Sequence, residues 1–148
     1  MSFDAILPAF KHRCSLAVFD DEKLVALNLN RLHTPNEFSS IFGDCNTNSE
    51  IKDDYAEDIH NGPYNLNSNR INVFLQECLK QTGQFFPEDI KNIGYLKAIA
   101  IHPNYQRSGI SQVLMTETFK RYQKFDCNYT LAYALVNQSY KIAIRVSL

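Results

Sequence analysis

Residues 95–114, YLKAIAIHPNYQRSGISQVL, constrain this chain more than any other stretch. The run from Tyr95 to Ile101 is mostly apolar, with Gly94 before it and Pro103 after it, which reads as a strand. A short polar loop follows, and Ser108 and Gly109 mark the start of a helix. A strand, a polar loop and a helix start together make an anion site. The first turn of a helix has N–H groups without internal partners, and its dipole favours negative charge there. Gly109 lets a ligand approach the backbone with no Cβ in the way. Arg107 adds a fixed positive charge. The alternative is an ordinary strand-to-helix turn of an α/β domain.

The rest of the chain frames this unit. Residues 15–19 read as a strand, 20–23 as a turn and 24–32 as the return strand, in which Leu27, Leu29 and Arg31 alternate with Asn28 and Asn30. Residues 33–68 change character. They carry Glu37, Asp44, Glu50, Asp53, Asp54, Glu57 and Asp58 against the single cation Lys52, and read as a long acidic loop with one short helix near 51–59. A solvated insertion is the simple reading; a flap whose field draws in a cationic substrate is the sharper one. Residues 69–82 read as an amphipathic helix with Ile71, Phe74, Leu75, Cys78 and Leu79 on its core face. A helix over 108–125, with Ile110, Val113, Leu114, Tyr122 and Phe125 on its apolar face, leads to a buried strand at 130–136. The strand–helix–strand unit predicts a parallel crossover. A final helix is predicted over 139–146.

At 148 residues the length suits one domain, 1–148. The net charge of −1 gives no bulk attraction to nucleic acid or to anionic membranes. No apolar run approaches membrane-spanning length, and the first residues lack a signal-peptide pattern. Cys14, Cys45, Cys78 and Cys127 are far apart with no C-x-x-C, so neither a zinc site nor a disulfide framework is expected. They read as reduced thiols of an intracellular, cytoplasmic protein.

Ile101-His102-Pro103 followed by Gln106-Arg107-Ser108-Gly109-Ile110-Ser111 resembles the GNAT (Gcn5-related N-acetyltransferase) family. The family motif is Arg/Gln-x-x-Gly-x-Gly/Ala after a Val-x-Pro-like step; Ser111 departs from its last position but is small. The layout is most similar to the invertebrate arylalkylamine N-acetyltransferase-like branch. The resemblance implies an α/β fold with a mixed sheet: a central antiparallel hairpin plus a parallel strand–helix–strand unit. It implies acetyl-CoA as co-substrate and no metal. The amides of Arg107, Ser108, Gly109, Ile110 and Ser111 would hold the pyrophosphate, with Gln106 alongside. The backbone of Ile99, Ala100 and Ile101 would pair with the pantetheine arm.

Both ends are short against the family pattern, with Ser147-Leu148 where a Gly-Phe pair would lead into closing strands, so terminal strands are expected to be missing. A partner subunit, as in a homo-oligomer, would cover apolar surface so exposed.

The implied reaction is acetyl transfer to the amine of a small acceptor. An N–H of Ile101 or Ala100 would meet the oxyanion. His102, or a carboxylate of the acidic segment acting through water, would take the amine proton; an exposed loop histidine is the equal alternative for His102. Tyr140 or Ser139 would protonate the leaving thiolate, with simple packing as the alternative for Tyr140. Lys97 stands where some relatives place a carboxylate, which speaks against that route. A catalytically inactive, truncated relative serving as a CoA-binding or regulatory module is the alternative function, and a protein N-acetyltransferase the third.

Overall fold

The computed structural model describes residues 9, 11–43, 51–137 and 139–141. They form two compact units: Thr34–Ile90, and the segments flanking it, through His33 and from Lys91.

The flanking segments build one four-stranded mixed sheet in the order β1-β2-β3-β4. β1 (Leu16–Asp20) and β2 (Lys23–His33) form the antiparallel hairpin read from the sequence. Asp20 pairs with Lys23, so the turn is only Asp21-Glu22, with Asp21 at φ 50°. β3 (Asn92–Ile101) runs antiparallel to β2, and β4 (Cys127–Ala132) runs parallel to β3. The connection from β3 to β4 carries the helix α4 (Ile110–Lys124). Hairpin and parallel unit are thus both present. In the β2–β3 ladder Leu29 faces Ala98 and Asn30 faces Leu96, leaving Lys97 as an extra, bulged residue.

α4 packs on this sheet through a face that differs from the expected one. Leu114, Met115, Thr118 and Tyr122 are buried, whereas Val113 is 64% exposed and Phe125 38% exposed. The contact is partly polar. Asn28 Nδ2 donates to Thr118 Oγ1 at 2.7 Å, Asn30 Nδ2 donates to the same oxygen at 3.3 Å and to the Cys14 carbonyl at 3.0 Å, and the Tyr122 hydroxyl donates to Asn30 Oδ1 at 3.0 Å. All four side chains are buried, and these bonds replace hydration the groups have lost, except at Asn28 Oδ1, which has no partner among the described residues. Around them Cys14, Leu32 and Tyr122 form an apolar cluster with Phe119 and Cys127. Burial pushes the Tyr122 hydroxyl above its ordinary range, so it stays a donor. Gly94 lies beneath the Tyr122 ring; a Cβ there would sit 2.3 Å from it.

In the unit Thr34–Ile90, a helix stands over residues 35–42 where a loop was expected. α1 (Pro35–Phe42) starts at a Thr34-Pro35-x-Glu37 signature: Pro35 opens the first turn and the Glu37 carboxylate accepts the Thr34 N–H at 3.2 Å. Phe38, Phe42 and Phe86 then pack edge to face, with centroids 5.1 to 6.0 Å apart. α2 (Ala56–His60) is the short helix expected near 51–59. α3 (Leu66–Lys80) begins earlier than predicted because Asn65, whose side chain accepts the Ser68 N–H, is the cap. Its buried residue is Asn69, which bonds Ile59 and Tyr64, while Ile71 and Phe74 are more than half exposed. The apolar periodicity therefore marks a helix but misidentifies its core face.

β4 also departs from expectation. It starts and ends earlier than 130–136, and Asn128, Tyr129 and Thr130 are exposed, so among the described residues it is a half-open edge rather than a buried strand. Residues 137 and 139–141 are helical; the rest of the last predicted helix, the segment 1–8 and Cys45 lie outside the described residues. No helix among the described residues is long and apolar enough to cross a membrane.

Candidate cofactor cleft and anion loop

β3 has two different neighbours on its two sides. Its pairing with β2 runs from Ile93 to Ile101, but its pairing with β4 stops at Leu96 opposite Ala132. Beyond that point the chain leaves the strand, and a cleft of about 210 Å³ opens beside β3. Its walls include Leu96 to Ile99 from β3, Met115 from α4, and Tyr133, Leu135 and Ser139 from the departing chain.

The backbone directions along this edge follow from one bond. The His102 N–H donates to the Val25 carbonyl at 2.8 Å. In an antiparallel pair the residues that bond across alternate with those that do not. Ala98 and Ala100 therefore face β2, and Ile99 and Ile101 present their N–H and C=O groups to the side where β4 has ended. Of the two oxyanion donors considered, Ile101 points outward and Ala100 is spent inside the ladder.

The loop after β3 is rigidly turned. Pro103–Tyr105 make one tight helical turn, in which His102 Nδ1 accepts the Asn104 N–H at 3.3 Å and the His102 carbonyl accepts the Tyr105 N–H at 2.9 Å. Arg107 (φ 63°) and Gly109 (φ 83°) then adopt left-handed backbone on either side of Ser108. The Gly109 carbonyl takes the first bonds of α4, from the Gln112 N–H at 3.0 Å and the Val113 N–H at 3.2 Å. Among the described residues, the N–H groups of Arg107, Gly109, Ile110 and Ser111 have no acceptor, while the Ser108 N–H closes the turn over Gln106 and Arg107. These free donors, bent by left-handed residues at the positive end of a helix, make a concavity of the kind that suits an anion. A Cβ built on Gly109 meets nothing within 4 Å, so the space over the loop is open. Arg107 is exposed and makes no ion pair with a described residue. Gln106 sits at the loop's entry, its side-chain amide 3.5 Å from the Ile101 carbonyl.

The other sequence candidates separate. Ser139 is half-buried and lines the cleft, while Tyr140 is 58% exposed and is not among its walls. His102 is also outside those walls, and its Nδ1 lone pair already accepts a backbone N–H, which leaves the proton on Nε2. That imidazole acts as the cap of a turn. Lys97 is half-buried at the bulge, where burial first, and the Arg31 guanidinium second, push its ammonium below the ordinary lysine range. Reading the sequence did not single out Met115, Tyr133 or Leu135 as cleft residues; nothing local marks them, because the position where β4 ends decides their role.

The half-paired strand and the loop at a helix start lie together in one α/β unit with a mixed sheet. Residues 36–146 match the model of the "Acetyltransferase (GNAT) family", and the chain belongs to that family. Solved structures agree on the fold. The chain resembles arylalkylamine N-acetyltransferase 2 from Aedes aegypti at 13% identity and a TM-score of 0.71, covering 97% of this chain and 60% of that one. It resembles the Drosophila melanogaster polyamine N-acetyltransferase, which forms N-acetylagmatine, at 10% identity and a TM-score of 0.67, covering 97% of this chain and 62% of that one. It also resembles an agmatine N-acetyltransferase at 9% identity and a TM-score of 0.62, covering 97% of this chain and 61% of that one. The chain thus spans about three fifths of the length of these relatives. No curated protein matches it significantly by sequence.

Proposed function

We propose that this protein is an acetyl-CoA-dependent N-acetyltransferase for a small amine, working in the cytoplasm, with residues 1–148 read as one GNAT domain. The observation that carries the reading is the set of free N–H groups at 107 and 109–111, on the loop that follows the half-paired strand β3. Acetyl-CoA would supply an acetyl thioester, and the neutral amine would attack its carbonyl carbon as the C–S bond breaks.

The chain's own residues divide the work. The amides of residues 107 and 109–111, with the Arg107 side chain, hold the diphosphate through charge-assisted hydrogen bonds. Ile99 and Ile101 offer outward N–H and C=O groups to the amide-bearing pantetheine arm, as a strand would. An outward N–H at this edge donates to the thioester oxygen as charge builds on it. Ser139, on the cleft wall, gives a proton to the departing thiolate and regains one from water, which takes up the proton the attacking nitrogen loses; its cleft position favours it over Tyr140. Holding both reactants at this edge supplies much of the rate. Small amines are the acceptors of the named relatives, and a cationic amine suits the acidic segment 33–68, where seven carboxylates face one lysine.

The test is a thermal-shift titration with acetyl-CoA and CoA, followed by a thiol-release assay with tryptamine, dopamine and polyamines. Stabilisation by both nucleotides and amine-dependent thiol release are expected. Stabilisation without release would leave a binding module, and no stabilisation would remove the reading altogether.

A further inference from the structure

Asp20 ends β1, and its carboxylate meets the side chain of Tyr105, two residues before the loop that the reading above assigns to a diphosphate. A free carboxylate there would repel the ligand. The structure shows how it is occupied. The Tyr105 hydroxyl donates to Asp20 Oδ2. Lys23, paired with Asp20 across the hairpin turn, places its Nζ 5.8 Å from the centre of the Tyr105 ring. The His102 ring meets the Tyr105 ring edge to face, with centroids 5.7 Å apart. The Tyr105 carbonyl in turn accepts a hydrogen bond from Ser108 Oγ. A continuous path therefore runs from the β1–β2 turn, through the Tyr105 side chain and backbone, to Ser108 in the middle of the free amides.

We propose that Asp20 and Tyr105 are positioning residues for the diphosphate: a latch that fixes the loop 107–111 to the hairpin and holds the Asp20 carboxylate away from the ligand. The proposal rests on the reading of that loop as the diphosphate site. Neither residue touches reacting atoms. Fastening a loop before the ligand arrives lowers the ordering cost that binding would otherwise meet. Tying the carboxylate to a hydroxyl also prevents it from competing with the phosphates for the same donors. The two effects can be separated, because removing the hydroxyl frees the carboxylate while removing the carboxylate's charge does not.

The experiment measures calorimetric Kd values for CoA and for pantetheine, which lacks the diphosphate, with the whole chain and its variants Tyr105→Phe, Asp20→Asn and the double change. Tyr105→Phe is expected to weaken CoA about tenfold, with a steeper salt dependence, through the freed carboxylate. Asp20→Asn is expected to change it less than about threefold, because the amide oxygen still accepts from Tyr105. Adding Asp20→Asn to Tyr105→Phe recovers part of the lost affinity. Pantetheine affinity stays the same throughout. A merely structural role would weaken both ligands alike and would make the double variant the worst. That result, or unchanged CoA binding in Tyr105→Phe, overturns the latch. If Tyr105→Phe does not fold, a CoA loss in folded Asp20→Asn larger than tenfold, or a matching loss for pantetheine, overturns it instead. A wild-type protein that binds pantetheine but not CoA overturns the loop assignment itself, and the latch with it.

Discussion

The two halves of β3 have the same backbone geometry and different surroundings. Residues 92–96 lie between β2 and β4, with Ile93, Gly94 and Tyr95 buried and the Tyr122 ring against Gly94. Residues 97–101 keep β2 on one side only, and Ala98 and Ala100 are exposed. The first half is closed by packing, so a change there acts on folding. The second half leaves strand-like hydrogen-bonding groups on offer, so on the proposed function a change there, or in the loop that follows, acts on ligand. One strand can serve both ends because β4 pairs for only part of its length.

The contrast can be broken or sharpened by substitution. Gly94→Val at the closed half forces atoms into the Tyr122 ring and is expected to destabilise the protein by about 3 kcal/mol, read as a lowered denaturation midpoint. A near-neutral result would mean the closed half is not closed. Gly109→Ala, past the open half, meets no protein atom. It should cost stability only the left-handed backbone penalty of about 1 kcal/mol, yet weaken CoA at least about tenfold. Equal CoA affinity in that variant would remove the ligand from the loop.

Tyr122→Phe leaves Asn30 Oδ1 without its donor and is expected to cost about 1 kcal/mol in stability with no change in CoA affinity. Alkaline titration tests the closed side by pH instead of substitution. Burial, with Cys14 and then Asp126 adding, pushes the Cys127 thiol from its ordinary value of 9.0 up to about 12. Between those values the folded state keeps a proton that the unfolded chain releases. This contribution is complete below about pH 9 and is lost as pH rises toward about 12. Stability should fall over that window, and Cys127→Ala should flatten the fall.

The histidine provides a further contrast. His102→Gln is expected to keep turnover within a few-fold, because a general base would supply about a hundredfold or more and this imidazole's lone pair is already used. A hundredfold loss would make His102 the base after all.

What could be read in advance depended on how local its cause was. The β3–loop–α4 unit was legible because the period changes, Pro103 and Gly109 punctuate it, and free amides follow from helix geometry alone. α1 could have been read as well, since Thr34, Pro35 and Glu37 stand at capping spacing, but its acidic, Asn- and Ser-rich context suggested a loop. The burial of Asn28 and Asn30 was not legible. Their partners Thr118 and Tyr122 lie about ninety residues away, and an alternating asparagine looks like a solvent-facing one until a partner covers it. The exposure of Ile71 and Phe74 is the converse case: correct spacing, with the packed side of α3 decided by Asn69. The latch between Asp20 and Tyr105 joins segments eighty-five positions apart and leaves no local trace.

The additional residue at Lys97 has an effect on everything after it. Side chains in a strand alternate between faces, and one inserted position exchanges the faces of all that follow. Asn28, directed at α4 through Thr118, stands opposite Ile99, and Ala26 opposite Ile101; Leu29 and Leu27, on the other face, stand opposite Ala98 and Ala100. Were Lys97 taken into regular alternation instead of bulged out of the ladder, the parity set by Gly94 under Tyr122 would turn both isoleucines to the outside and leave two methyl groups beneath the helix. A single lysine thus sets the parity by which branched side chains meet α4 and small ones line the open face.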